Sequence, residues 1–260
     1  MKKPLILFAG VAFLMTLASA SGCNESASNA EKSTSEQAAE AGADAASTQN
    51  ETQELRNVKV RISTPFGDMI AELFDETPKH RDNFVKLAEE GYYNDLLFHR
   101  VIKNFMVQGG DPDSRNAPAN MRLGSGGPAY KVDAEIVDNL VHVKGALAAA
   151  RQGDAVNPKK ASSGSQFYIV QGAPVKKEML LGLEQRRNFG RDSVNFFRYS
   201  DEQIEAYATI GGTPHLDGEY TVFGRIIEGL NIIDSIAAVK TMPGDRPVEN
   251  LAFRVEVIKE

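Results

Sequence analysis

Arg100 and Gln108 interrupt the apolar strand segments of Phe98-His99-Arg100-Val101-Ile102-Lys103-Asn104-Phe105-Met106-Val107-Gln108-Gly109-Gly110-Asp111. The stretch reads as two short strands, Leu96 to Ile102 and Phe105 to Gly110, joined by the polar pair Lys103-Asn104. Strand residues alternate faces, so Met106 and Gln108 share one side. Polar groups in such a setting either reach water or are satisfied within a site. By itself the stretch fits a half-exposed hairpin with solvated polar residues as well as it fits a site. A second glutamine favours the site. Gln166 lies in Ser163-Gly164-Ser165-Gln166-Phe167-Tyr168-Ile169, again inside an aromatic-rich strand that follows a Ser/Gly turn. The chemistry on offer is directed hydrogen bonding, because a guanidinium stays charged and holds its donors in a rigid fork.

Other chemistries find little support. The histidines at 80, 99, 142 and 215 show no ligand spacing, so no metal and no cofactor is expected. His99 reads as a satisfied sheet histidine. No G-x-S-x-G surrounds Ser165, which removes the nucleophile elbow. Gly124 to Ala129 satisfies a loose G-x-G-x-x-A, but Pro128 interrupts it and no helix follows. Asp111-Pro112-Asp113 reads as a turn. A net charge of -6 provides no basic field for nucleic acid.

Phe98 to Asp111 closely resembles the signature of the cyclophilins, which are peptidyl-prolyl cis-trans isomerases, and Ser165 to Ile169 resembles their second signature. Three further stretches follow in the family's order. Gly124-Ser125-Gly126-Gly127-Pro128 is similar to its glycine loop. Gly145 to Arg151 is similar to the strand lining its groove. Leu216-Asp217-Gly218, then Thr221-Val222-Phe223-Gly224, is similar to its late loop and strand. The likeness runs from about Val58 to Ile258. It implies a mainly β fold, a closed eight-stranded antiparallel barrel capped by two helices, with substrates in a groove on the outer surface.

The resemblance also implies roles. Arg100 matches the catalytic arginine, beside the imide nitrogen. Gln108 matches a residue that bonds the substrate backbone, and Gln166 matches another groove glutamine. Phe105, Met106, Tyr168 and Leu216 match the walls of the proline pocket. Ala150 and Arg151 match the backbone platform beside it. Three positions depart from the eukaryotic pattern. Tyr168 replaces a usual phenylalanine, which adds a hydroxyl at the pocket. His215 stands near a usual tryptophan, in a chain with no Trp, and Tyr220 replaces a usual histidine. The tryptophan is important for cyclosporin binding in that family, so weak drug affinity is expected. The partners implied are unfolded or flexible proteins that present Xaa-Pro bonds. The rival reading is a non-catalytic, chaperone-like module using the same groove.

The ends of the chain set its organisation. Lys2 and Lys3 precede an apolar run from Pro4 to about Ala20, short for a span and ending in small residues. An export signal over residues 1–22 is favoured over a single membrane anchor. Ala20-Ser21-Gly22-Cys23 resembles a bacterial lipobox, with Ala20 in place of the usual leucine. Cys23 is the only cysteine, so it is expected to carry a lipid and no intramolecular disulfide can form. Residues 23–56 are rich in Ala, Ser, Glu, Thr and Gln and cannot bury enough apolar surface to fold, so a flexible tether is expected. The location implied is the bacterial cell envelope, with the protein lipid-anchored and facing the periplasm or the cell surface.

The folded domain is expected over 57–260. Val58 to Ile62 alternates as a half-buried strand, and Met69 to Phe74 returns as a second. Thr77 is placed to cap a helix with Pro78 at its first position, Phe84, Leu87 and Ala88 as its buried stripe, and Gly91 at its end. Strands are expected at 145–151, 166–171, 221–227 and 252–258, and a helix at Leu230 to Ala238. An insertion at about 174–212 predicts one helix near Lys177 to Arg187, with Leu180 and Leu183 apolar. A second follows Ser200, where Ser200 and Gln203 fit a capping box and Ile204, Tyr207 and Ala208 share a face. This insertion reads equally as a stabilising lobe or as a wall of the site.

Overall fold

A computed structural model of the protein describes residues 58–259. The export signal expected over 1–22, Cys23 and the tether expected over 23–56 fall outside the described residues. Among those residues, no helix is long and apolar enough to cross a membrane.

In chain order the elements are β1 (Lys59–Thr64), β2 (Gly67–Leu73), α1 (Pro78–Glu89), β3 (Leu96–Leu97), β4 (Arg100–Ile102) and β5 (Met106–Gly109). Next come β6 (Lys131–Val132), β7 (Ala146–Ala149), β8 (Ser162–Ser163), β9 (Phe167–Val170), α2 (Lys177–Asn188) and α3 (Asp201–Thr209). β10 (Val222–Glu228), α4 (Leu230–Ala237) and β11 (Ala252–Ile258) complete the series. Nine strands form one antiparallel sheet in the order β3-β11-β1-β2-β10-β7-β9-β5-β4, and β6 pairs with β8 apart from it. The strand expected over Leu96 to Ile102 is thus split. Its first half pairs with β11 and its second with β5. Only Phe98 and His99 separate the halves. The Phe98 N–H donates to the Leu251 carbonyl (2.9 Å) and the His99 N–H to the Gln108 carbonyl (3.0 Å).

Side-chain alternation sorts the strands into two faces. Val107, Leu147, Ala149, Phe167 and Ile169 point into one core, with Val60, Ile62, Phe253 and Val255. Phe84 and Leu87 of α1, and Ile232, Ile233 and Ile236 of α4, close that core. Met106, Ala146, Ala148, Tyr168, Val170 and Val222 point the other way into a second cluster. β7 and β9 are therefore buried on both sides, which explains why they read as nearly continuous apolar runs.

Helix ends follow the local chemistry with one exception. Thr77 occupies the N-cap of α1, but its hydroxyl makes no cap bond and is buried without a partner. Pro78 at the first turn presets the helical φ instead. Glu135 accepts the first-turn N–H groups of Lys79 (3.0 Å) and His80 (2.9 Å), doing the work expected of Thr77. The C-terminal turn closes as Gly91 N–H bonds Ala88 and Tyr92 N–H bonds Leu87.

The insertion forms both expected helices, and Ser200 and Gln203 make a full capping box on α3. Ala208, expected on the apolar face, is exposed; Tyr207 and the partly buried Ile204 carry that face. Leu180, Phe197, Tyr199 and Tyr207 form a small core of their own with Val141. The lobe is pinched shut at its base, where Gly172 (φ +62°) and Gly212 approach so closely that a Cβ on Gly172 would lie 2.4 Å from the Gly212 Cα.

Candidate active site

The antiparallel register sets Arg100 opposite Gln108 and Gln108 opposite Tyr168. These side chains point to the outer face, where a cavity of about 330 Å³ opens. Its lining includes Arg100, Phe105, Met106, Gln108, Tyr168 and Leu216. A larger cleft of about 590 Å³ lies elsewhere, between the Leu73–Glu76 segment and α3. Its lining is mostly apolar and carboxylate, with Arg225 bonded to Glu72, so directed donors do not converge there.

Arg100 is half-buried. Its Nη1 lies 3.4 Å from Gln108 Oε1 and its Nε 3.4 Å from Asp245 Oδ2. Both contacts are long, so they orient the fork and leave other N–H groups available to a ligand. Gln108 Nε2 donates to Gln166 Oε1 (3.1 Å), and Gln166 Nε2 donates to the Gly126 carbonyl (2.7 Å). The two glutamines are thus a relay anchored on the glycine loop. That loop is held by Asp111, a buried carboxylate that accepts from the Gly124 and Gly126 N–H groups. Gly110 is obligatory at the end of β5. Its φ is +90°, and a Cβ there would stand 2.2 Å from the Ser165 carbonyl oxygen.

The apolar wall is equally well defined. The rings of Phe105 and His215 stack at 5.6 Å, with 25° between their planes. Tyr220 meets Tyr168 edge-on at 5.8 Å. Arg151 lies over the Tyr220 ring at 4.5 Å and is pinned by Glu219 and Asp154, so its charge is spent on the wall. Ala150 stands beside Gln166, but its N–H donates to the Gln166 carbonyl (3.0 Å) and its carbonyl accepts from Ser163 N–H (2.8 Å). Its N–H and carbonyl are thus both engaged in backbone hydrogen bonds, and Ala150 lines the cavity.

Two expectations are corrected. The Tyr168 hydroxyl is not free at the pocket; it bonds His142 Nε2 at 2.9 Å, behind the wall. His99 is not satisfied: it is buried at the cavity edge and neither ring nitrogen has an aligned partner. Burial pushes its pKa down to about 4, although the Asp111 carboxylate and the nearby Leu97 carbonyl oppose the shift. Burial also lowers the pKa of His215. The cavity therefore holds neutral imidazoles beside a permanent cation.

Every expected pocket residue that is described lies on or beside this one cavity, His215 through its stack on Phe105 and Gln166 through its bond to Gln108. Sequence reasoning missed Asp245, Leu123 and Gly244, which also border the site. Asp245 is fixed by its own carbonyl, which accepts the Val101 N–H at 2.8 Å. No local signal marks it, because its partner lies 145 residues away.

Residues 58–257 match the family model described as cyclophilin type peptidyl-prolyl cis-trans isomerase/CLD. A putative peptidyl-prolyl cis-trans isomerase of Staphylococcus saprophyticus is 36% identical over 204 residues, covering 78% of this chain and 92% of that protein. A putative bifunctional phosphatase/peptidyl-prolyl cis-trans isomerase of Streptococcus pyogenes is 38% identical over 199 residues, which cover 74% of this chain but only 37% of that longer protein. A crystal structure of a Cryptosporidium parvum cyclophilin type peptidyl-prolyl cis-trans isomerase superposes with a TM-score of 0.56 at 26% identity, covering 78% of this chain and 99% of that one. The same protein in the presence of the dipeptide Ala-Pro gives 0.55 at 25%, with the same coverage.

Proposed function

This chain belongs to the cyclophilin-type peptidyl-prolyl cis-trans isomerase family, and on that premise we propose that Arg100 and the cavity beside it form its catalytic centre. The reaction is rotation about Xaa-Pro peptide bonds. Amide resonance sets a barrier of ~18–20 kcal/mol, and proline leaves cis and trans close in energy but their exchange slow, at tens to hundreds of seconds. No covalent bond is made or broken. The enzyme needs only to bind the twisted amide better than either planar form.

Twisting returns a lone pair to the imide nitrogen, which then accepts a hydrogen bond. A guanidinium held beside that nitrogen gains an interaction in the transition state that the planar substrate lacks. Gln108 and Asp245 aim the Arg100 fork, and Gln108 with Gln166 offers hydrogen bonds to the peptide backbone. Phe105, Met106 and Leu216 receive the proline ring and exclude water, which favours the less polar twisted state. Accelerating a reaction from roughly 10⁻² to roughly 10³ per second takes about 7 kcal/mol. Charge-assisted bonding, desolvation and positioning divide that total.

The observation that carries this reading is the convergence of Arg100, Gln108 and the apolar wall on one cavity. The relative crystallised in the presence of Ala-Pro supports a proline peptide as the occupant. The deciding experiment follows cis-to-trans relaxation of a proline peptide with wild type and Arg100→Ala. A loss of about 10²–10³ in kcat/KM is expected; equal rates would leave a non-catalytic, chaperone-like binding module.

The remaining expectations join this reading. Residues 57–260 are one isomerase domain. Counting Leu96 to Ile102 as one bent strand gives the main sheet eight strands, and its bonds to both β11 and β5 support a closed barrel. Residues 1–22 are an export signal, Cys23 bears lipid, and 23–56 tether the domain at an envelope membrane, facing the periplasm or the cell surface. Its clients are flexible exported proteins. Mass analysis of the mature N-terminus tests this arrangement: an unmodified Cys23 or an uncleaved signal overturns it.

A further inference from the structure

Behind the apolar wall lies a buried polar network that joins the insertion to the cavity. Asp217 follows Leu216 directly and is almost wholly enclosed. Its Oδ1 accepts from the His142 backbone N–H (2.7 Å) and pairs with His142 Nδ1 (2.8 Å). Its Oδ2 accepts from the Tyr199 hydroxyl (2.7 Å) and the Tyr207 hydroxyl (2.7 Å). Four donors thus saturate one carboxylate. An ionised carboxylate only accepts, so His142 Nδ1 must carry the proton. In a neutral ring Nε2 is then the acceptor, and it takes the Tyr168 hydroxyl at 2.9 Å. The sequence of contacts runs from two tyrosines of the lobe, through Asp217 and His142, to a wall of the proline site.

We propose that the 174–212 insertion is the back support of the proline pocket, with Asp217 as the positioning residue that couples Tyr199 and Tyr207 to Tyr168 and Leu216. This rests on reading the cavity as the seat of the proline ring. Four features of the chain converge on it. The lobe has its own apolar core, to which Leu180, Phe197 and the rings of Tyr199 and Tyr207 contribute, and ring burial alone would serve it. Yet two of its tyrosines spend their hydroxyls on a carboxylate belonging to the pocket rim. The phenol at 168 extends the wall by one hydroxyl, and that hydroxyl reaches this network rather than the peptide. Burial and the Asp217 charge raise the pKa values of Tyr199 and Tyr207 well above the ordinary range, so both remain donors at any working pH. The rim is also tied along the backbone, since Thr213 N–H donates to the His142 carbonyl at 2.8 Å. A wall held this way keeps its shape while the imide turns against it. A wall released from the network yields, and part of the binding energy goes into reshaping it.

The test is a double-mutant cycle on the full chain, read as kcat/KM for a proline peptide, with Tyr168→Phe and Tyr207→Phe. The two hydroxyls do not touch each other, so coupling between them must pass through His142 and Asp217. Each single change is expected to lower kcat/KM about threefold or more, and the double to fall within about twofold of the worse single. Effects that simply multiply, or a Tyr207→Phe variant with wild-type kinetics, would overturn the proposal. A lobe that serves stability alone would lower the melting temperature without coupling in kcat/KM. Should Tyr207→Phe fail to fold, Tyr199→Phe removes the other hydroxyl on the same oxygen and completes the same cycle. Arg100→Ala run in parallel separates the two readings. Full activity there removes the site itself, whereas activity lost there with multiplying hydroxyl effects removes only the role of the lobe.

Discussion

Arg100 and Gln108 are direct cross-strand partners, and the guanidinium Nη1 stands 3.4 Å from the amide Oε1. Directly opposed residues of an antiparallel pair have their Cβ atoms about 4.5–5.5 Å apart. The donor proposed for the turning imide and the group proposed to hold the peptide backbone are therefore set by one register. A slip of a single residue between the strands would put them on opposite faces.

The shape of the arginine, and not only its charge, is needed. Arg100→Lys keeps the cation but loses the planar fork that meets Gln108 and Asp245 together. The lysine variant is expected to retain less than about a tenth of wild-type kcat/KM, with KM nearly unchanged. A relaxation assay over a range of peptide concentrations checks this; wild-type kcat would show that charge alone suffices.

Asp245 is expected to act on the proposed reaction through Arg100. Both side chains are more than two-fifths exposed, so their ion pair adds little to stability. Asp245→Ala is expected to shift unfolding by less than about 0.5 kcal/mol while lowering kcat about three- to tenfold. Paired urea melts and kinetics measure the two effects. A large loss of stability with unchanged kcat would reverse the assignment.

Gly110 should tolerate no side chain. Gly110→Ala forces a left-handed φ on alanine and drives its Cβ into the Ser165 carbonyl. Strain and overpacking together are expected to remove at least about 3 kcal/mol, seen as a lower urea midpoint with an unchanged slope.

Acid stability should follow His99. Its folded pKa, about 4, lies below the unfolded value of 6.5, so the unfolded chain binds more protons between those limits. Stability therefore rises with pH across that window, by about 1.4 kcal/mol per unit from this group. His80 and His215, also lowered chiefly by burial, add in the same direction. Urea midpoints at pH 7 and pH 5 should differ more for wild type than for His99→Gln. Equal differences would show that His99 is not buried neutral.

Cyclosporin should bind weakly. His215 supplies a smaller, more polar ring than tryptophan, and it is already stacked on Phe105. Titration calorimetry is expected to give a Kd no tighter than micromolar, about -8 kcal/mol. A nanomolar complex would refute this.

Much of the lining of this cavity is legible in the sequence. Arg100, Gln108 and Gln166 betrayed themselves as polar residues in apolar strands, and alternation alone put Met106 and Gln108 on one side. The helices of the insertion were readable from Leu180, Leu183 and the Ser200–Gln203 box, because capping and amphipathic spacing are local properties. The mistakes arose where distant groups compete. Thr77 lost its capping role to Glu135, and the Tyr168 hydroxyl turned from the pocket to His142. His99 finds no well-aligned partner for its ring, only the nearby Leu97 carbonyl.

The sequence by itself determined the periods, the turns and the family, since each depends on residues close along the chain or on motifs read in order. Only the tertiary structure decided which carboxylate aims Arg100 and what the insertion touches. Asp245 and Asp217 meet their partners across long separations, through sheet curvature and lobe packing that no local pattern encodes. Hydrogen bonds of that kind are chosen by whichever buried donor most needs an acceptor once the chain has closed around it.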